Sequence, residues 1–305
     1  MRVMVTGASG FVGSWVLRAL ADQGHQAHAV CRGRPPVDAT FEWHGVDLLS
    51  ADVAEATIAA AQPEVIVHLA WTVEHGAFWT SPANVDWVAA TLRLAQAAAQ
   101  HGVQRFVGVG TCYEYDWPQH GDCDEASTPI APTSLYAVAK DATRRVLDAY
   151  LAPTATAFAW ARLFFLYGPG EGPGRLVPSI ARALAAGKPA RCSRGHAVRD
   201  FLDVRDAAAA LASVATSSLE GPVNVASGHA ISVADVAMRL AALAGRPELV
   251  QMGALPDRAG EPPRIVARTA RLASIGGLDG ARTIDRGLGE ALGYWREQHE
   301  MAERR

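Results

Sequence analysis

Val3-Met4-Val5-Thr6-Gly7-Ala8-Ser9-Gly10-Phe11-Val12-Gly13 opens the chain with a short apolar run, three glycines spaced by threes, and the start of a helical pattern. A strand that turns directly into a helix over such glycines suits a dinucleotide pyrophosphate. Gly7 allows the tight turn, Gly10 lets the backbone approach a phosphate, and Gly13 lets the helix pack closely on the strand. The free amides of the helix start, together with the positive end of its dipole, then face the anion.

Outward from this turn, strands and helices alternate. The helix expected at 11–23 carries Val12, Val16, Leu17 and Leu20 on one face and ends at Gly24. A second strand at 25–30 runs into Cys31-Arg32-Gly33-Arg34-Pro35-Pro36. At this strand end a Rossmann domain meets the adenosine ribose, where an acid holds the 2′-hydroxyl and an arginine accommodates a 2′-phosphate. No acid stands there, whereas Arg32 and Arg34 do, so NADP(H) is expected in preference to NAD. A third strand at 41–46 leads to Asp47-Leu48, placed to contact the adenine, and Ser50 is expected to cap a helix through 61. The continuous apolar run at 65–70 fits an interior parallel strand. His68 within it follows the strand pattern and is read as structural.

A long helix is expected from Pro82 to about 100, then a buried strand at 105–109. Gly110-Thr111-Cys112-Tyr113-Glu114-Tyr115 follows at its carboxyl end, where the reacting groups of open α/β sheets collect. If this segment is extended, alternation turns Glu114 away from the site. The helix expected at 134–150 contains Tyr136-Ala137-Val138-Ala139-Lys140, which puts Tyr136 and Lys140 on one face of one turn. A free tyrosine, with a pKa of about 10, exchanges protons poorly at neutral pH, and a neighbouring ammonium lowers that value. A strand at 156–165 precedes the turn-rich stretch Tyr167-Gly168-Pro169-Gly170-Glu171-Gly172-Pro173-Gly174. Helices are then expected at 175–186, 205–217, 232–244 and 286–301. The division anticipated is a dinucleotide-binding domain over 1–167 and a mainly substrate-binding lobe over 168–305, with some segments returning to the main sheet.

A chain of 305 residues, half of them hydrophobic, can bury a substantial core. Its net charge of −3 and pI near 6.4 argue against a general nucleic-acid or polybasic membrane binder. No apolar run reaches membrane-spanning length, and the chain enters a strand at once, which predicts no signal peptide and a cytoplasmic protein. Cys31, Cys112, Cys123 and Cys192 lack CxxC spacing and are read as reduced thiols. No metal is expected, since His25 and His28 fall in a strand with no carboxylate or cysteine cluster beside them in sequence.

Taken in order, these residues resemble the extended short-chain dehydrogenase/reductase family, the sugar-nucleotide epimerases, dehydratases and ketoreductases, over almost the whole chain. The resemblance rests on Thr6-Gly7-x-x-Gly10-x-x-Gly13, Asp47-Leu48, His68-Leu69-Ala70, Thr111 four residues before Tyr115, and Tyr136-x-x-x-Lys140. It continues through Tyr167-Gly168-Pro169-Gly170, Arg199-Asp200-Phe201 and Asn224-Val225-Ala226-Ser227-Gly228. It implies an α/β fold, a Rossmann-type doubly wound parallel sheet with a smaller C-terminal substrate-binding lobe. It also implies a homodimer packed through the helices after Pro82 and Ser134.

In this resemblance Tyr136 is the acid/base, Lys140 holds the nicotinamide ribose and lowers the tyrosine pKa, and Thr111 hydrogen-bonds the reacting oxygen. Cofactor contacts are implied at Gly7, Gly10, Phe11, Val12, Gly13, Arg32, Asp47, Leu48, Leu69, Ala70, Lys140 and Phe164. Substrate contacts are implied at Thr111, Tyr136, Phe165, Arg175, Arg199 and Arg258, the arginines suiting the oxygens of a diphosphate. There are departures. Phe165 stands where many relatives carry asparagine, and Cys112-Tyr113 stand where dehydratases carry Asp-Glu. The expectation is therefore NADPH-dependent reduction of the keto group of a nucleotide-linked sugar, a 4-keto-6-deoxyhexose. The alternatives are a nucleotide-sugar 4-epimerase of the same family and, more distantly, a non-catalytic nucleotide sensor, which would need neither Thr111, Tyr136 nor Lys140.

Overall fold

The computed structural model describes residues 1–34, 40–117, 121–258 and 260–304. Pro35 and Pro36 of the basic strand-end stretch lie outside the described residues. The chain runs β1 (Arg2–Thr6), α1 (Gly13–Asp22), β2 (Gln26–Cys31), β3 (Glu42–Gly45), α2 (Val53–Ala61), β4 (Val65–His68), α3 (Ala83–Gln100) and β5 (Arg105–Thr111). It continues through α4 (Leu135–Leu151), β6 (Ala157–Leu163), β7 (Phe165–Tyr167), α5 (Leu176–Ala185), β8 (Ala190–Arg191), β9 (Val198–Asp203), α6 (Val204–Thr216) and β10 (Gly221–Val225). It ends with β11 (Ala230–Ser232), α7 (Val233–Ala244), β12 (Val250–Gln251), β13 (Arg264–Ile265), α8 (Ala270–Ala273) and α9 (Ile284–Glu303).

Seven parallel strands form the main sheet in the order β10-β6-β5-β4-β1-β2-β3. The chain starts in the middle and winds outward both ways, which is the doubly wound Rossmann pattern. α1 and α6 cover one face, and α2, α3 and α4 the other. The interior strands β4 and β5 are therefore buried on both faces, which explains their unbroken burial. The stripe Val16, Leu17 and Leu20 seats α1 on the sheet, as its spacing predicts.

A second, smaller sheet is centred on β9, which pairs with β7, β11 and β13. α5, α7 and α9 close over it around Val177, Ile180, Leu184, Val236, Leu240, Leu288 and Leu292. β10 leaves this region and joins the main sheet beside β6, and α6 packs against α1. Among the described residues no helix is long and apolar enough to cross a membrane.

Several local expectations are corrected. The strand expected at 156–165 divides at Phe164: β6 stays in the main sheet, while β7 crosses to pair with β9. Ser50 does not cap α2; the helix starts at Val53 after Asp52, with no side-chain cap. His28 does have a carboxylate neighbour. The β2–β3 register sets Glu42 opposite His28 and brings His44 alongside. The two imidazoles share a 3.3 Å hydrogen bond, which ties edge strand β3 to β2.

Candidate active site

The glycine turn has the form its spacing requires. Gly7 adopts φ +67°, and a Cβ there would stand 2.8 Å from the Ala70 amide nitrogen. Thr6 locks this junction, since its hydroxyl accepts the Ala70 N–H at 3.2 Å and hydrogen-bonds His68 Nδ1 at 2.8 Å. His68 Nε2 pairs with the Thr91 hydroxyl at 2.8 Å, and burial pushes the imidazole down to about 3. It is a neutral structural histidine, as its strand position suggested. Among the described residues the Phe11 and Val12 amides have no acceptor, which leaves the donors of the α1 start available to an anion.

At the end of β5, Thr111 caps a short 3₁₀ turn, Cys112–Glu114, by accepting the Tyr113 N–H. The segment is not extended, so alternation is not what turns Glu114 away. Glu114 is fully buried because its carboxylate accepts the Thr111 N–H at 2.9 Å, the Trp160 indole N–H at 3.0 Å and Arg162 Nε at 2.7 Å. Gly110 makes room for this network, since a Cβ there would strike both the Trp160 indole and the Glu114 carboxylate. Arg162 also donates to the Tyr115 hydroxyl, which donates to Asn224 on β10. The turn is thereby fixed to β6 and β10 by buried charge-assisted bonds.

Ser134 caps α4 through the Ala137 N–H, and the helix carries Tyr136 and Lys140 to the Thr111 turn. The Thr111 side chain stands near enough to the Tyr136 phenol to favour its ionised form. Burial nevertheless raises the Tyr136 pKa above its ordinary value, against the expectation that Lys140 lowers it. The reason is where Lys140 points. Its Nζ donates to the Val109 carbonyl at 2.7 Å and lies 3.8 Å from the centre of the Trp71 ring. Burial pulls Lys140 down to about 7, with Glu114 opposing the shift.

An aromatic wall surrounds Tyr136. Phe78 meets it edge-on at 4.9 Å and Trp79 at 5.9 Å, and the Trp79 carbonyl accepts the Tyr136 N–H. Tyr113 packs on Trp79 at 4.7 Å and on Phe165 at 6.2 Å. The predicted arginines approach this wall. Arg175 lies over Phe78 at 5.8 Å and Arg199 over Phe165 at 5.4 Å. Arg258 is exposed; burial, and after it the charges of Arg175 and Arg258, lower the pKa of His75. Arg199 is already held, donating to Glu261 at 2.8 Å and to the Val198 carbonyl.

Arg32 is exposed at the end of β2 without a partner among the described residues. Asp47 accepts the Leu49 N–H and shapes its own turn, while Leu48 is buried below it. Leu69 and Ala70 follow β4 beside Gly7. Phe164 turns its ring into the apolar cluster of Cys112, Tyr115 and Cys123 and donates its amide to Val225.

The sequence reading missed Trp71, Phe78, Trp79, the Trp160–Glu114–Arg162 network and Glu171. Glu171 is a buried carboxyl pushed up to about 8, with Arg175 only partly offsetting its burial. One signal was available: the alternating Gly108 and Gly110 on a buried strand mark room for a large neighbour, which is Trp160.

Comparison with known proteins agrees with this geometry. The profile of the NAD dependent epimerase/dehydratase family matches residues 3–226. The chain is 26% identical to dTDP-L-rhamnose 4-epimerase of Burkholderia thailandensis, covering 95% of this chain and 93% of that protein. It is 24% identical to dTDP-6-deoxy-L-talose 4-dehydrogenase (NAD(+)) of Aggregatibacter actinomycetemcomitans, covering 75% and 85%. The crystal structure of Thermus thermophilus UDP-glucose 4-epimerase in complex with NAD superposes with a TM-score of 0.85 at 26% identity, covering 97% and 99%. With the glycine turn, the strand-end threonine and the Tyr136–Lys140 helix all in place, the chain belongs to the NAD dependent epimerase/dehydratase family, the sugar-nucleotide branch of the extended short-chain dehydrogenases/reductases.

Proposed function

We propose that the protein reduces the keto group of a nucleotide-linked 4-keto-6-deoxyhexose with NADPH. The observation that carries this reading is the turn after Thr111. Where dehydratases place Asp-Glu, Cys112 is buried in an apolar cluster with its thiol pKa raised by burial, and Tyr113 is part of the aromatic wall. Glu114, the next carboxylate, is committed to Arg162 and Trp160. Among the described residues this turn therefore offers no acid–base pair to remove water from the sugar, whereas reduction needs only a hydride and one proton.

The nicotinamide, when bound, supplies the hydride. In this reading Thr111 donates a hydrogen bond to the keto oxygen, Tyr136 delivers the phenol proton to that oxygen, and the ammonium of Lys140 stabilises the phenolate left behind. Gly7, Gly10 and Gly13, with the Phe11 and Val12 amides, hold the pyrophosphate. Arg32, unpartnered among the described residues, suits a 2′-phosphate. Arg175 and Arg258 take the substrate diphosphate, and the rings of Phe78, Trp79, Tyr113 and Phe165 favour a methyl at C6 over a hydroxymethyl.

A 4-epimerase is the second reading. It is favoured by the 4-epimerases among the relatives and uses the same Thr111–Tyr136–Lys140 set. We place a homodimer contact on α3 and α4, which pack together and expose Val85, Val138, Val146 and Tyr150, and assign the enzyme to the cytoplasm. The test incubates the protein with NADPH and a 4-keto-6-deoxy nucleotide sugar, and separately with the parent nucleotide hexose. Reduction predicts one NADPH consumed per keto sugar. Interconversion of hexose epimers without added NADPH would replace it with the second reading, and loss of water from the hexose would contradict both.

A further inference from the structure

We propose that Trp71 is a positioning residue for Lys140: the face of its indole ring holds the buried ammonium and keeps it protonated. The proposal rests on the reading of Lys140 as the group that serves Tyr136 and the cofactor. Lys140 is 4% exposed, and an ammonium has three N–H donors to satisfy. Its Nζ has one hydrogen-bond acceptor among the described residues, the Val109 carbonyl, and no carboxylate at ion-pair distance. The charged and titratable groups facing it are few. Glu114 approaches from the turn after β5, but Arg162 and Trp160 already bind its carboxylate. His68 faces it from β4 and is neutral, while Tyr136 lies one turn back on α4.

Beside the Val109 carbonyl and the more distant pull of Glu114, the ring face is the attraction in direct contact with the ammonium. The ammonium stands 3.8 Å from its centre, well inside the distance at which a cation is drawn to an aromatic face, and tryptophan is the strongest of the aromatic partners. The face is also fixed in advance. The Trp71 indole N–H donates to Asn84 Oδ1 at 2.8 Å, and fully buried Asn84 donates in turn to the carbonyls of Phe78 and Ser81. Trp87 stacks with Trp71, their ring centres 6.3 Å apart. The ring cannot turn its edge to the ammonium without breaking these contacts. Burial favours the neutral amine, which could neither stabilise a Tyr136 phenolate nor act as a cationic partner. The ring opposes that tendency without adding a carboxylate that would pair with the ammonium and draw it away from Tyr136.

The composition makes the test direct. The chain has two lysines, Lys140 and Lys188, and Lys188 is exposed. In protein carrying isotope-labelled lysine, the two side-chain ammonium groups are resolved by NMR and assigned with Lys188→Arg. Titration is followed in the wild type, Trp71→Phe and Trp71→Leu. Phenylalanine and leucine fill similar volumes, so the difference between them reports the ring face rather than packing. The Lys140 pKa is expected to fall in the order wild type, Trp71→Phe, Trp71→Leu, with Trp71→Leu lower by about one unit or more and Lys188 unmoved. Equal Lys140 titration in the wild type and Trp71→Leu, or in Trp71→Phe and Trp71→Leu, would overturn the proposal. If Trp71→Leu does not fold, Trp71→Phe decides alone: a lowered Lys140 pKa supports the proposal and an unchanged one overturns it. The readout needs no substrate, so an error in the assigned reaction leaves this test standing.

Discussion

Glu114 and Lys140 are two buried charged groups on either side of Thr111, and the fold treats them differently. Glu114 accepts from a backbone amide, an indole and a guanidinium, all within 3.1 Å, and it is sealed from solvent. Among the described residues Lys140 has one hydrogen-bond acceptor, the Val109 carbonyl, and a ring face. The comparison teaches how to separate a charge that holds a site from a charge that works in it. A structural charge is satisfied on every side and fixed, as buried ions must be when their only task is to position. A working charge is left short of partners, so that its remaining N–H groups and its shifted pKa are available to a ligand.

The largest effect is expected on the working side. Tyr136→Phe should lower kcat by about a hundred- to ten-thousandfold while leaving the cofactor dissociation constant near that of the wild type, as steady-state kinetics and a cofactor titration would show. A near-full rate would remove Tyr136 from the proposed proton transfer. On the holding side, Glu114→Ala leaves Arg162 buried and uncompensated. It should cost about 3–5 kcal/mol of stability, read from the denaturant midpoint at constant slope. A loss below about 1 kcal/mol would mean that the network does not hold the turn.

Lys140 supplies a pH test of the same contrast. Its folded pKa of about 7 lies well below that of a free lysine. Below that pH both folded and unfolded chains carry the proton, and the cost of burying the charge is fully present. Between that pH and the pKa of a free lysine the unfolded chain binds one more proton, so stability contributed by this group rises with pH, by about 1.4 kcal/mol per unit. Lys140→Met should flatten the stability profile by that slope in the alkaline range. Unchanged slopes would show that Lys140 is not depressed. The smallest effect concerns the cofactor: Arg32→Asp should convert a roughly tenfold or greater preference for NADP(H), from one charge-assisted bond, into a preference for NAD(H). Equal wild-type affinities would remove Arg32 from the adenosine site.

The working half of the site was the more legible in sequence. Gly7 and Gly13 announce their backbone geometry because only glycine fits there, and Tyr136 and Lys140 are fixed relative to each other by one turn of helix. The holding half was hidden because its contacts are long-range. Glu114 meets Trp160 and Arg162 only after β5 and β6 pair, and Arg162 reaches Asn224 through Tyr115. Glu114 was correctly turned away from the reacting face, but for the wrong reason, since a 3₁₀ turn replaces the expected extended segment. The sequence also could not show that Trp71 captures Lys140. That contact joins the loop after β4 to α4, and no periodicity within either segment encodes it.

What divides the reductase from the 4-epimerase is net reduction at the keto carbon by the Thr111–Tyr136–Lys140 set. It is tested by following deuterium from [4,4-²H₂]NADPH, labelled on both faces of C4, into product with a 4-keto-6-deoxy nucleotide sugar. The account predicts one deuterium on the new carbinol carbon for each NADPH oxidised, and loss of this transfer in Tyr136→Phe. Unlabelled product formed without oxidation of the added NADPH, or interconversion of hexose epimers on a retained cofactor, would contradict it.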